Sequence, residues 1–219
     1  FESYKRINIL KSNLYKYYKL AWQKGDNTIT FLNGTDSLKK SFILKYFSIK
    51  DKKMFSLDLK NKENFSNLII DPRGTLSISD DGEKVFFMEK NDFTYSISEN
   101  NSPKIEVWSG NDKWLYADKQ NTEVLGGIPK RAVWFPKANL YNPINENGQH
   151  TFGITGQQDY AVIYNKNPYG LQSKYYEEAD FYLKNLSDNT SKLLLKRQSC
   201  DPEQIQFNTS TNKILYYHE

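Results

Sequence analysis

Two histidines, one cysteine and a scatter of carboxylates are the residues of this 219-residue chain that could do chemistry. A catalytic triad needs a histidine able to take a proton near neutral pH beside a nucleophile. His150 follows Asn147-Gly148-Gln149 in what reads as a loop before a strand, and His218 is the penultimate residue. Neither neighbours a nucleophile motif, and no Gly-x-Ser-x-Gly elbow occurs. Both read as surface residues. Two distant histidines and one cysteine give no ligand spacing for a metal, and a single cysteine allows no internal disulfide. Asp80-Asp81-Gly82-Glu83 has the start of a calcium loop but lacks the alternating ligands and the distal glutamate, so a β-turn is expected. Cys200 precedes Asp201-Pro202 and reads as a thiol under a turn, with Lys196 and Arg197 as the cations that could lower its pKa. No catalytic residue, metal site or cofactor is expected.

Aromatic side chains are the other resource, at 15% of the chain with 16 Tyr, 13 Phe and 4 Trp. Trp108 and Trp114 flank Ser109-Gly110-Asn111-Asp112, a turn-like sequence that places them on opposing strands. Exposed, such rings stack on sugars; buried, they fill gaps between sheets. Trp134-Phe135-Pro136, with Pro129 and Pro143 nearby, reads as an irregular insertion rather than a strand.

The elements that must position these residues are strands. Thr28-Ile29-Thr30-Phe31-Leu32, Lys84-Val85-Phe86-Phe87-Met88, Tyr160-Ala161-Val162-Ile163-Tyr164 and Lys213-Ile214-Leu215-Tyr216-Tyr217 are short runs of β-branched and aromatic residues. Between them lie turn sequences such as Lys24-Gly25-Asp26-Asn27, Asp80-Asp81-Gly82-Glu83 and Ser187-Asp188-Asn189-Thr190. One hairpin unit recurs at Leu20–Phe31, Leu76–Phe87, Phe152–Tyr164 and Ile205–Tyr217, with starts 56, 76 and 53 residues apart. A further strand pair follows the third copy, Ala179–Leu186 and then Ser191–Lys196. Four short strands with their turns need about 40–50 residues, the size of a propeller blade. The wide middle gap predicts an irregular insertion at about 93–150. The expected fold is all-β, a partial β-propeller of about four blades of four-stranded antiparallel sheets, forming one unit over residues 1–219.

Charge is uneven. Residues 1–60 hold 13 Lys/Arg against 5 Asp/Glu, and the remainder 17 against 21. The lysines of the first third alternate with apolar residues, as on a solvated strand face, which argues against nucleic acid as a partner. No apolar run approaches the roughly 20 residues of a membrane-spanning helix.

Two stretches resemble a known family. Ile105-Glu106-Val107-Trp108-Ser109-Gly110-Asn111-Asp112-Lys113-Trp114-Leu115-Tyr116 resembles the Val-x-Val-Trp-x-x-x-Asp-x-x-Leu segment in the N-terminal β-propeller of bacterial prolyl-oligopeptidase-like serine peptidases, the S9 family with its dipeptidyl-peptidase-type members. Asp180-Phe181-Tyr182-Leu183 is similar to a blade strand of that family, and Ser79-Asp80-Asp81-Gly82-Glu83-Lys84 to its Ser-x-Asp-Gly-Lys turn. The resemblance implies a propeller that caps an α/β-hydrolase domain and admits peptides but not folded proteins. That catalytic domain is absent from this sequence, so the chain is expected to be a non-catalytic fragment that gates or positions peptide substrates. Its partners would be the missing hydrolase domain and the peptide, in the periplasm or outside the cell. Dipeptidyl-peptidase members hold the substrate's amino group with paired glutamates, which makes Glu177 and Glu178 candidates for substrate binding beside Trp108 and Trp114, but the family's surrounding residues are lacking and a solvated turn entering the strand at 179–186 is the favoured reading of the pair. The alternative is a stand-alone TolB-like propeller that binds a protein or glycan. Open strand edges of a partial ring would also invite homodimers.

Overall fold

A computed structural model describes residues 8–10, 15–35, 42–62, 65–92, 129–146, 148–170 and 175–217. The described elements are strands and two single-turn 3-10 helices, at Leu59–Asn61 and Asn167–Tyr169. The first sheet contains β1 (Tyr15–Trp22), β2 (Thr28–Thr35), β3 (Phe42–Ser48) and β4 (Lys53–Leu57), each antiparallel to the next. The second contains β5 (Leu68–Ile70), β6 (Ser77–Ile78), β7 (Val85–Asn91), β8 (Lys130–Phe135) and β9 (Leu140–Pro143). There β5 and β6 pair with opposite ends of one edge of β7, so together they act as a single broken first strand. The third sheet is β10 (Gln149–Ile154), β11 (Tyr160–Asn165), β12 (Glu178–Asn185) and β13 (Ser191–Ser199), and the fourth the hairpin β14 (Ile205–Phe207) and β15 (Ile214–Tyr216). All four recurring hairpins read from the sequence are present, each opening a sheet. The fold is all-β, with four-stranded antiparallel sheets of the propeller-blade type.

Strand periodicity dictates how the sheets stack. Successive side chains of a strand point to opposite faces. In the second sheet Val85, Phe87, Ala132 and Trp134 enter a core shared with Leu32, Leu44, Tyr46 and Leu57 of the first. Phe86 and Val133, one residue out of phase, enter a second core with Ala161, Ile163 and Leu186 of the third. Val162, Ala179 and Phe181 then face Ile205, Phe207 and Ile214 of the fourth. A strand buried on both faces reads as a continuous apolar run. That is why Val85-Phe86-Phe87 and Ala161-Val162-Ile163 do not alternate with polar residues.

The structure corrects the expected insertion. Residues 93–128, with Trp108 and Trp114, lie outside the described residues, but 130–143 are two regular strands that complete the second sheet. Trp134 is a core residue at 1% exposure, paired across the strands with Val85 and Tyr141. The three prolines are compatible because of where they fall. Pro129 precedes β8, Pro136 lies in the turn, and Pro143 ends the outermost strand, where a missing N–H breaks no ladder.

Candidate functional site

The four opening hairpins close with the same six-residue turn. The amide of the first residue donates to the carbonyl of the sixth: Gln23 to Thr28 (3.0 Å), Ser79 to Lys84 (2.9 Å), Thr155 to Tyr160 (2.9 Å) and Asn208 to Lys213 (3.0 Å). In three of them the fourth residue's amide bonds back to the first carbonyl, as Asp26 to Gln23, Gly82 to Ser79 and Gln158 to Thr155. Those fourth residues have left-handed backbones, with φ of 57°, 74° and 61°. Gly meets that requirement without strain, Asp at modest cost, and Gln158 is held there with its side chain accepting the Asp80 amide. In the last turn the Asn208 side chain accepts from the Ser210 amide instead.

Stacking the sheets brings these turns side by side. Gln23 Nε2 donates to Asp80 O (2.8 Å), and the Asp80 amide donates to Gln158 Oε1 (2.7 Å). Gly156 N donates to Thr211 O, and Thr155 Oγ1 to Asn212 Oδ1. Asn212 Nδ2 reaches Gln157 Oε1 (2.9 Å) and Asp159 Oδ2 (3.1 Å). Glycine is needed at 156, because a Cβ there would stand 2.2 Å from Asn208 O and 2.5 Å from Thr209 C. Together the turns line an open polar depression of about 470 Å³, to which all four contribute, among them Lys24, Asp80, Gln157 and Ser210.

Lys84 organises the electrostatics beside this depression. Its ammonium, with a side chain 8% exposed, lies 2.8 Å from Asp81 and 3.2 Å from Asp159. Burial disfavours the charge on Lys84, but the two carboxylates outweigh it and raise its pKa. Burial likewise opposes the charge on Asp81, yet hydrogen bonds from Lys84, Ser79 and the Glu83 amide hold its carboxyl below the ordinary range. Asp80 meets Lys24 at 3.7 Å in a solvent-exposed pair. This set offers hydrogen-bond donors and acceptors of both signs in a half-open setting. It suits the binding of a polar ligand.

Glu177, Glu178, His150 and Cys200 lie elsewhere, and Trp108 and Trp114 fall outside the described residues. Glu177 binds Lys166 (2.5 Å) and Glu178 binds Arg197 (2.9 Å), so each carboxylate already holds a cation. His150 sits inside β10, not in a loop, and stacks on Tyr164 at 5.2 Å. Burial and the nearby Lys166 lower its pKa, so the ring is neutral at pH 7. Burial pushes the Cys200 thiol up to about 11 against the opposing influence of Lys166, which leaves it unreactive. His218 lies outside the described residues. Among the described residues no three His, Cys, Asp or Glu side chains are grouped to hold a metal ion, and no helix is long and apolar enough to cross a membrane. The turns were visible in sequence as hairpin closers. The signal for their equivalence is a polar residue (Gln23, Ser79, Thr155, Asn208) five or six positions before the next strand begins.

No protein-family model matches the sequence, and no curated protein matches it. Solved structures give distant likenesses to propeller proteins. TolB from Acinetobacter baumannii aligns over 96% of this chain and 39% of its own, with 11% identity and a TM-score of 0.36. Porphyromonas gingivalis dipeptidyl peptidase 4 aligns over 81% and 24%, with 12% identity and a TM-score of 0.40. The β-propeller domain of the Trilobed protease from Pyrococcus furiosus aligns over 86% and 59%, with 9% identity and a TM-score of 0.34. The chain thus spans less than two thirds of each of these proteins.

Proposed function

We propose that the chain is the non-catalytic propeller part of a prolyl-oligopeptidase-like serine peptidase, gating or positioning peptides for a hydrolase domain carried outside this sequence. The observation behind this reading is the set of four equivalent turns, cross-bonded to one another around one polar depression. Rigid sheets that present their turns to a common opening exclude wide objects. The carboxylates, amides and hydroxyls at that opening can pair with the backbone of an extended peptide. The reading places the protein outside the cytoplasm, with the hydrolase domain as its partner. A short peptide titrated into the labelled chain should shift the amide signals of Asp80, Gln157 and Asp159, with weaker binding to Asp80→Asn. The reading also requires that the parent reading frame encode a Gly-x-Ser-x-Gly segment; a complete frame without one overturns the peptidase assignment.

A second reading is a stand-alone TolB-like propeller that engages a protein or glycan. The exposed rings of Trp22 (54%), Tyr175 (92%) and Tyr217 (62%) favour it. In that case glycan or protein binding would survive changes at Asp80 and fail on Trp22→Ala. On either reading the open strand edges of a partial ring would let the isolated chain self-associate. Light scattering that finds only monomer would remove that part.

A further inference from the structure

The core between the first and second sheets encloses a carboxyl group. Glu89 lies on β7 on the same face as Val85 and Phe87 and is 1% exposed. The Tyr141 hydroxyl, itself in that core, donates a hydrogen bond to Glu89 Oε2. Phe65 stands edge-on to the Tyr141 ring at 4.7 Å, and Phe87 lies 6.2 Å from it. Two residues sit directly across from Glu89 in the sheet: Ile70 on β5 and Lys130 on β8. Among the described residues the titratable groups that face Glu89 are therefore the ammonium of Lys130 from β8 and the phenol of Tyr141 from β9. On the β5 side the ion pairs Asp71–Lys90 (3.5 Å) and Lys60–Asp92 (2.8 Å) are already matched with each other.

This carboxyl lies where β5 meets β7. Residues 58–62 and 65–67 belong to the connection between the first and second sheets, and β5, which follows, has three residues and among the described residues pairs with β7. The connection is fixed by Leu59, Phe65 and Leu68 around the same core and by exposed contacts such as Lys62 Nζ to Asn139 O. Glu89 is 1% exposed, so water reaches its carboxyl only when a neighbouring element moves, and β5 pairs directly across from it. A buried charge gains by drawing in water, whereas a neutral carboxyl does not.

We propose that Glu89 and Tyr141 form a pH-sensitive latch, in which the protonated carboxyl keeps β5 seated on β7 and its ionisation loosens it. Burial pushes the Glu89 pKa up to about 7, against opposing contributions from the Tyr141 hydrogen bond and Lys130, so the latch changes state near neutrality. Because the folded value is raised, the stabilisation is complete below the ordinary glutamate range and disappears as pH rises through about 7. The device acts at the joint between the first two sheets, independently of what the depression binds.

Hydrogen exchange tests it. After correction for intrinsic rates, protection of the amides from Leu68 to Asp71 should fall at least about tenfold between about pH 5.5 and about pH 8. The amides of β11 serve as the internal reference and should hold. Glu89→Gln keeps the acceptor for Tyr141 and removes the titration, so the loss of protection should vanish. Tyr141→Phe keeps the ring and removes the donor that favours the charged form, so the midpoint should move to higher pH. Unchanged protection of 68–71 in the natural protein, equal loss in Glu89→Gln, or equal loss in β11 would each overturn the latch; a Tyr141→Phe midpoint that stays or moves down would do so too.

Discussion

The two inner interfaces of the molecule join the same kind of sheet by different means. Between the first and second sheets the core is aromatic: Tyr46 lies edge-on to Trp134 at 6.4 Å, with Phe42, Phe87 and Tyr141 around them. Between the second and third it is small and aliphatic, built on Val133, Ile144, Ala161 and Ile163 with Phe86. Polar links cross both interfaces, at the first from Tyr46 Oη to Gly82 O (2.6 Å) and at the second from several side chains. Asn142 Nδ2 donates to Leu186 O (2.9 Å) and Ser187 O (3.2 Å), and Lys84 bridges to Asp159. The aromatic interface has volume enough to enclose the carboxyl of Glu89; the aliphatic one puts its charges at the rim. A repeated blade can thus be sealed by bulk or by polar registration, and the two seals should fail in different ways.

The largest expected effect is in the bulk-sealed interface. Trp134→Ala removes its central ring and should cost about 3–5 kcal/mol in urea unfolding followed by far-UV circular dichroism. A cost under about 1 kcal/mol would mean that the aromatic core is not what holds these sheets together. Next comes Glu89→Gln. The natural protein should lose up to about 2–3 kcal/mol as pH rises from about 4.5 to about 7, and the variant should show a flat profile over that window. A profile of equal slope in both would assign the titration to another group. In the polar-sealed interface Lys84→Met leaves Asp81 and Asp159 without their shared cation. Because those carboxylates are about half exposed, the cost should be about 1–3 kcal/mol, reduced by added salt. The smallest effect belongs to Lys137→Ala, which breaks a half-exposed pair with Glu83 at 2.8 Å and should change stability by less than about 1 kcal/mol. If Lys137 mattered more than Lys84, the ranking of buried over exposed links would be wrong.

Much of this was readable in advance, and the misses have physical causes. The four opening hairpins were legible because β-branched and aromatic runs and Asp-Gly or Asn-rich turns act over a few residues. Asp180–Leu183 and Ser191–Lys196 were legible as strands for the same reason. The β8–β9 hairpin was missed because Pro129, Pro136 and Pro143 suggest irregularity unless one knows that they fall at strand ends and on an outer edge. Glu177 and Glu178 drew attention as a pair, but the lysine and arginine that hold them stand 11 and 19 residues away in sequence. Glu89 gave no signal at all. A glutamate after Val-Phe-Phe-Met looks like an outward strand residue until the neighbouring sheet is put over it.

By itself the sequence determined the strands, their turns and the blade-sized period, because backbone preference and alternation are properties of adjacent residues. Only the tertiary structure decided which turns face one another, which cations neutralise which carboxylates, and which glutamate lies out of reach of water. Those outcomes depend on the stacking of sheets far apart in the chain. Burial and pairing, the two quantities that give a polar group its energy and its pKa, do not exist until that stacking is made.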